Sequence, residues 1–320
     1  MKRVVKNFLI ASGILGAIGA ALVLASVFMG AHFSDLWNGN LPVTQFFWNG
    51  HLVSSENQFN STYRQDNTYT VSAEGIDTLK IDWVNGEVNV QAGETDQIIF
   101  SESGADLTEK TALQYVVKDH ALHIQYSKDG ITTLGWGEEL QKKLTLTVPQ
   151  SLAEKLAELR IEVVSANVQF DGAAFRMDQL DIETVSGNLN AVIDSAGTAE
   201  LGTVSGNLSV SGAINEVDAE STSGNISVSG AINRFEAESV SGDVLLDGRN
   251  GAPNQLDVDT TSGNVVLYLP KDADLTLNYE TVSGDFDSAF AMSMHNGNYV
   301  INGGRSEWSV ETVSGDLTVR

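Results

Sequence analysis

The residues of this sequence that could do chemistry are a set of recurring carboxylates. Asp243, Asp285 and Asp316 occupy equivalent places in a repeated motif, each directly after a Ser-Gly pair. Cleavage of a glycan needs two or three acids that converge in one groove. Asparagine fills the same place in other copies of the motif, which favours a structural role for these aspartates. We therefore assign no catalytic residue, and a β-helical polysaccharide-active enzyme stays as an alternative.

Metal and cofactor chemistry finds little support in the sequence. His120 and His123 are the closest pair among the five histidines, and their spacing fits a β-hairpin as well as a metal site. Because the chain has no cysteine, disulfides, thiolate catalysis and cysteine-based zinc sites are excluded. We predict no cofactor and no metal ligand, with calcium binding by an acidic surface as the open alternative.

The charge balance restricts the partners of the protein. There are 42 acidic against 18 basic residues, and the net charge is −24. Such a surface repels phosphate backbones, so we exclude nucleic acid. It offers many carboxylates to cations and to basic partners.

A repeat built on Ser-Gly followed by Asn or Asp must position these residues. Its predicted corners are Gly86 in a degenerate copy, then Gly187 and Asn188, Gly206 and Asn207, Gly224 and Asn225, Gly242 and Asp243, Gly263 and Asn264, Gly284 and Asp285, and Gly315 and Asp316. From Gly187 onward the glycines lie 19, 18, 18, 21, 21 and 31 residues apart. Except for the last interval, this is close to one coil of a β-solenoid.

Apolar residues recur at fixed distances from each corner, at −7, −5, +2 and +4. Over nine copies, which include a degenerate one around Ala166, only Ser288 among these 36 positions is polar. The pattern predicts strand, corner and strand with one buried face, so that Leu201, Val258 and Val310 are buried at one rung. A meander of hairpins with Gly-Asn turns has the same alternation, but the uniform spacing favours a solenoid.

The corner residue types suggest how the coils are joined. Glycine permits a positive φ or a close approach that a β-carbon would obstruct. Asparagine side chains one coil apart can hydrogen-bond along a ladder. Ser or Thr at −3 and Ser at −1 can satisfy corner backbone groups.

The N-terminal segment predicts a membrane anchor. From Phe8 to Ala31 there are 24 residues without a charged side chain or histidine. As a helix this run rises about 36 Å, enough to cross the hydrocarbon layer. Lys2, Arg3 and Lys6 precede it, which places the N-terminus in the cytoplasm and the remaining chain outside. A cleaved signal peptide with a site near Ala25 is the alternative.

The predicted fold is all-β: a single-stranded parallel β-helix preceded by one N-terminal transmembrane helix. Only Leu152 to Leu159 has a helical pattern, which predicts a short helix or an irregular loop. The predicted parts are a cytoplasmic tail (1–6), a transmembrane anchor (7–33), a juxtamembrane linker (34–67), an N-terminal β region that caps the solenoid (68–150) and the solenoid repeats (151–320).

The repeat resembles the unit that recurs in a bacterial family of candidate adhesins of unknown function. The copies that carry the resemblance are Thr184-Val185-Ser186-Gly187-Asn188 and Thr312-Val313-Ser314-Gly315-Asp316. The resemblance covers roughly residues 70 to 320 and implies a toast-rack-like β-helix. Related domains occur in bacterial envelope-stress regulatory proteins, which implies envelope sensing as another role. The family offers no catalytic residues to transfer.

We therefore predict a single-pass protein of the bacterial cell membrane whose extracytoplasmic part is a scaffold or binding surface. Its expected partners are the membrane, envelope polymers or proteins, and further copies of itself. Self-association is suggested by the small-residue stripe Gly13, Ala17 and Ala21.

Overall fold

The computed structural model describes residues 64, 66–105, 107–127 and 141–320, together with two short strands upstream. These are β1 (Phe47–Trp48) and β2 (His51–Leu52), which pair antiparallel. The predicted tail and anchor, and most of the predicted linker, lie outside the described residues. Within the described part, no helix is both long enough and apolar enough to span a bilayer.

The described chain is almost entirely β-structure. Its other strands are β3 (Thr68–Ser72), β4 (Thr78–Gly93), β5 (Gln97–Ser103), β6 (Gln114–Lys118), β7 (Ala121–Gln125), β8 (Lys142–Pro149), β9 (Leu156–Thr184), β10 (Leu189–Thr203), β11 (Leu208–Ser221), β12 (Ile226–Ser239), β13 (Val244–Asp247), β14 (Gln255–Thr260), β15 (Val265–Tyr268), β16 (Leu275–Thr281), β17 (Phe286–Ser288), β18 (Ser293–His295), β19 (Asn298–Ile301), β20 (Ser306–Thr312) and β21 (Leu317–Val319). A single turn of helix, α1 (Gln150–Ala153), precedes β9.

Successive repeats stack in parallel. β10 pairs with β9 on one side and with β11 on the other, and β11 pairs with β12. Equivalent residues lie side by side, so that Leu189 is opposite Leu208, and Leu208 is opposite Ile226. This register confirms the β-solenoid for these coils and excludes the hairpin meander.

The coils at both ends stack out of sequence order. The Gly86 coil, β4, lies between β9 on one side and β7 and β8 on the other. At the C-terminal end, β20 and β21 insert between the Gly263 coil (β14, β15) and the Gly284 coil (β16, β17). The reason lies in the long interval after Gly284, where β18 and β19 form a hairpin that covers the outer edge of β16. The chain then returns on the inner side of β16.

The solenoid interior contains the residues that the repeat pattern places there. All 36 inward positions are buried except Tyr279, Phe286 and Ser288, which belong to the terminal Gly284 coil. Leu201, Val258 and Val310 are each at most 3% exposed. The repeat register therefore predicted the core correctly.

The segment from Leu152 to Leu159 differs from its predicted form. α1 includes only its first two residues, and β9 begins at Leu156. The N–H groups of Ala157 and Glu158 both donate to the carbonyl of Asp77, at 2.8 and 3.3 Å. The shared acceptor makes the start of β9 irregular, and Leu156 and Leu159 are both buried although they are three positions apart.

Candidate functional site

The repeat corners form one row of stacked polar side chains, the corner ladder. In stacking order its members are Asn167, Asn188, Asn207, Asn225, Asp243, Asn264, Asp316 and Asp285. The backbone N–H of each member after the first donates to Oδ1 of the member before it, at 2.8 to 3.0 Å. The row is exposed along its length.

This bond explains why Asn and Asp alternate freely in the ladder. Both side chains carry an Oδ1 acceptor, and the donor is a backbone group that every coil supplies. Amide-to-amide bonds also join Asn188 to Asn167 and Asn207 to Asn188, at 3.3 and 3.2 Å. The connection that recurs in every coil is the backbone one, which differs from a ladder held by side-chain amides alone.

Hydroxyl groups complete the corner. Thr184 Oγ1 accepts the N–H of Gly187 at 2.9 Å, and the residue at −3 plays the same part at the corners of Gly206, Gly242, Gly284 and Gly315. Ser186 Oγ donates to the carbonyl of Val164 in the neighbouring coil. Serines at −1 make the equivalent bond in the later coils.

Glycine is needed at the corners because the coils approach closely there. A β-carbon on Gly206 would lie 1.8 Å from the carbonyl oxygen of Gly187, and one on Gly224 would lie 1.7 Å from that of Gly206. Gly86 has both constraints, with φ of 95° and a β-carbon position 2.1 Å from the carbonyl oxygen of Lys142. Close approach, and not positive φ, is therefore the common requirement.

The three corner aspartates do not form a convergent acid site. Asp243 is separated from Asp316 by Asn264, and only Asp316 and Asp285 are neighbours. Asp316 Oδ1 already accepts the N–H of Asp285 at 2.8 Å. All three side chains are exposed.

A second acidic surface, the carboxylate face, lies just before the corners and was missed by the sequence analysis. Its first row, at position −4, contains Asp82, Glu162, Glu183, Glu220, Glu238, Asp259, Glu311 and Glu280. Its second row, at position −6, contains Asp181, Glu200, Asp218, Glu236 and Asp257. The signal was present in the sequence, because the same register that locates the core also aligns these outward positions.

Burial and like charge perturb this face most strongly at Glu162. Its side chain is 1% exposed, and burial, followed by the charge of Asp82, raises its pKa to about 9 against the opposing effect of Arg160. The Arg160 guanidinium contacts Glu162 and lies 3.5 Å from Asp181. Burial first, and then neighbouring carboxylates, also raise the pKa values of Glu183, Glu220 and Glu238.

A buried ion pair joins strands β5 and β8 within the N-terminal cap. Lys142 Nζ lies 2.8 Å from Glu102 Oε2, and both side chains are completely buried. The ammonium also donates to the carbonyl of Thr111 at 2.7 Å and lies 4.0 Å from the ring centre of Tyr126. Trp83 Nε1 in turn donates to the carbonyl of Lys142. This arrangement holds the ammonium without access to solvent, so it is structural.

The histidines and the surface pocket give no sign of a metal centre. His120 Nδ1 contacts the carbonyl of Gly75, and His123 Nε2 contacts Asp82 Oδ2, both at 2.6 Å. In the described part of the chain no three His, Asp or Glu side chains are placed to hold a metal ion. A pocket of about 550 Å³ opens where the corner ladder meets the cap, and its lining includes five side-chain amides and the Glu87–Lys143 pair.

The family of the protein follows from its repeats. Residues 76–320 match the family model described as Toastrack DUF4097, a span that includes every repeat corner. The chain belongs to the Toastrack DUF4097 family. This confirms the resemblance that the Ser-Gly-Asn/Asp units indicate. No curated protein matches the sequence.

Solved structures with similar chains share 13% sequence identity with this Toastrack protein. They include a candidate cell adhesion protein from Clostridium sporogenes (TM-score 0.23), a candidate lipid binding protein from Parabacteroides distasonis (0.47) and a candidate adhesin from Bacteroides fragilis (0.44). Each comparison covers 79% of this chain and 96% of the other. At these values they carry no argument about ligand or mechanism.

Proposed function

We propose that this Toastrack protein is an extracytoplasmic scaffold or binding protein of the bacterial envelope, anchored in the membrane by its N-terminal segment. The observation that carries the proposal is the corner ladder. It is a long exposed row of polar groups, in which the carboxylates of Asp243 and Asp316 accept the backbone N–H of the next coil. Such a surface suits repeated contacts with an envelope polymer, an envelope protein or another copy of the chain.

The same observation argues against catalysis at the corners. A glycan-cleaving site requires an acid and a second carboxylate that face one substrate bond across a groove. Asp316 and Asp285 instead stack along the solenoid axis, and the first of them is engaged by a backbone N–H. We therefore place the function in the surface and not in a reactive centre.

The triple variant Asp243→Asn, Asp285→Asn and Asp316→Asn tests this proposal. Asparagine keeps the Oδ1 acceptor and removes the like charge between neighbours. The stability of the triple variant should therefore equal or exceed that of the parent. A loss of more than about 0.5 kcal/mol in urea unfolding is not expected. Binding to isolated envelope material, measured by co-sedimentation, should persist.

A different result in the triple variant would identify another function. Loss of a glycan-hydrolysing activity with the fold retained would replace the scaffold by an enzyme. Loss of a calcium-induced rise in melting temperature would show that the corners are metal ligands. The control is Asn188→Asp, which adds a carboxylate to the same ladder. It should leave any glycan-hydrolysing activity and any calcium-induced rise in melting temperature as they are in the parent.

Membrane anchorage is supported by the apolar run from Phe8 to Ala31 and by its basic flank. We expect the full-length protein in the membrane fraction, with the solenoid digested by protease added to the outer face of that membrane. A C-terminal epitope reports the digestion, and a cytoplasmic protein serves as the control for intact cells. Recovery of a mature chain that begins near residue 26 would show a cleaved signal peptide instead.

A further inference from the structure

The carboxylate face places like charges directly opposite one another on neighbouring strands. In the first row Glu220 lies opposite Glu238, and Glu238 lies opposite Asp259. In the second row Asp218 lies opposite Glu236 in the same two coils. Parallel strands are about 4.8 Å apart, and like charges in such pairs destabilise a sheet.

Few cations balance these rows within the described part of the chain. Arg160 forms ion pairs with Glu162 and Asp181 near the N-terminal end. In the central coils Arg234 lies beside Glu216 and Glu236, at 3.2 and 2.9 Å. No ion pair in the described chain joins a cation to Glu220 or Glu238, so these two carboxylates face mainly other carboxylates.

The groups that face this central pair all come from the stacked coils. They are Glu183 on β9, Glu200 on β10, Glu216 and Asp218 on β11, Arg234 and Glu236 on β12, and Asp257 and Asp259 on β14. Only Arg234 among them is positive. Proton uptake is therefore the direct way in which the rows can relieve their repulsion.

We propose that the carboxylate face is a proton-operated clamp, which tightens the stacked coils when the surrounding medium becomes mildly acidic and loosens them when it returns to neutral. Protonated carboxyls neither repel one another nor lose their hydrogen-bonding capacity, because each gains an O–H donor. The clamp acts on the solenoid as a whole, since its stability depends on the interface between each coil and the next.

The sign of the effect follows from the raised pKa values of Glu162, Asp181, Glu183, Glu220 and Glu238 in the folded protein. A carboxyl whose pKa is raised by folding binds its proton more tightly in the folded state. The stabilisation from this proton is complete below the ordinary pKa, which is 3.8 for Asp and 4.5 for Glu. It is lost as the pH rises through the raised pKa of the folded protein, which is about 9 for Glu162. Stability should therefore fall between mildly acidic and neutral pH.

Urea unfolding of the full-length protein at about pH 5.5 and at about pH 7.5 tests the clamp. Each proton that is taken up on folding changes the folding equilibrium constant by up to about tenfold per pH unit. We expect the folding equilibrium constant to be at least tenfold larger at the lower pH. The variant Glu220→Gln/Glu238→Gln imitates the protonated pair. It should be more stable than the parent at neutral pH and should gain less on acidification.

The control variant Asp171→Asn/Asp178→Asn removes the same charge from two exposed carboxylates outside both rows. It should keep the full gain in stability that the parent shows on acidification. An absent gain in the parent, or an equal reduction in the control, would overturn the proposal. Stabilisation by calcium chloride at neutral pH and constant ionic strength, equal to that by acid, would also overturn it and show a cation site.

Discussion

Replacing Lys142 by methionine is expected to destabilise the protein by about 3–5 kcal/mol, because it leaves the buried carboxylate of Glu102 without its counter-charge. Glu102 Oε1 would keep only the N–H of Leu113, at 2.8 Å, while Oε2 would lose the ammonium. Methionine has a similar length and adds no clash. Urea unfolding of the full-length protein measures the loss.

Two matched variants separate the buried charge from other causes. Lys142→Met/Glu102→Leu removes both charges and should recover most of the lost stability, since an apolar replacement of a buried pair is often neutral or better. Lys143→Met removes the adjacent lysine, whose partner Glu87 lies 3.2 Å away with both side chains more than 40% exposed. That change should cost less than about 1 kcal/mol. If Lys142→Met and Lys143→Met lose the same stability, the buried ion pair does not hold the cap strands β5 and β8 together.

The solenoid and its corners could be predicted from the sequence because each repeat reports the same local geometry. One register, counted from the corner glycines, located the core at every coil from Gly86 to Gly315. The exceptions, Tyr279, Phe286 and Ser288, lie in the coil that no complete further coil covers. A periodic pattern specifies which way a residue faces, and it does not specify where the stack ends.

The order of the end coils and the cap cluster could not be predicted. Nothing local in the sequence indicates that β20 lies between β14 and β16, since this depends on which strand edge the β18–β19 hairpin covers. Lys142 likewise meets Glu102 and Trp83 across 40 and 59 residues of chain. Such contacts are set by the packing of the cap and have no repeat that would reveal them.

The carboxylate face is a different case. The sequence register aligns its acidic residues, but it does not show that they lie opposite one another or that one of them is buried. An acid at −4 in one repeat is typical of a solvated strand. Only the parallel pairing of β11, β12 and β14 shows that these acids stand opposite one another, and only the folded chain shows that Glu162 is buried.

Replacing Gly206 by alanine is expected to cost about 3 kcal/mol, at the upper end of the usual range for overpacking. The new β-carbon would lie 1.8 Å from the carbonyl oxygen of Gly187, which is backbone and cannot rotate away. The coils must therefore separate at this corner. Separation weakens the bond from Asn207 N–H to Asn188 Oδ1, now 3.0 Å, in the middle of the stack.

Gly202→Ala is the control, because Gly202 lies in the same coil, four residues before Gly206. A β-carbon there would meet only the side chain of Glu183, at the ordinary contact distance of 3.8 Å. Its stability should be unchanged or higher by up to about 1 kcal/mol, since alanine restricts the unfolded chain. Urea unfolding of both variants decides the matter. Equal losses would show that strand flexibility governs these glycines, whereas a loss at Gly206 alone assigns the corner glycine to the close approach between coils.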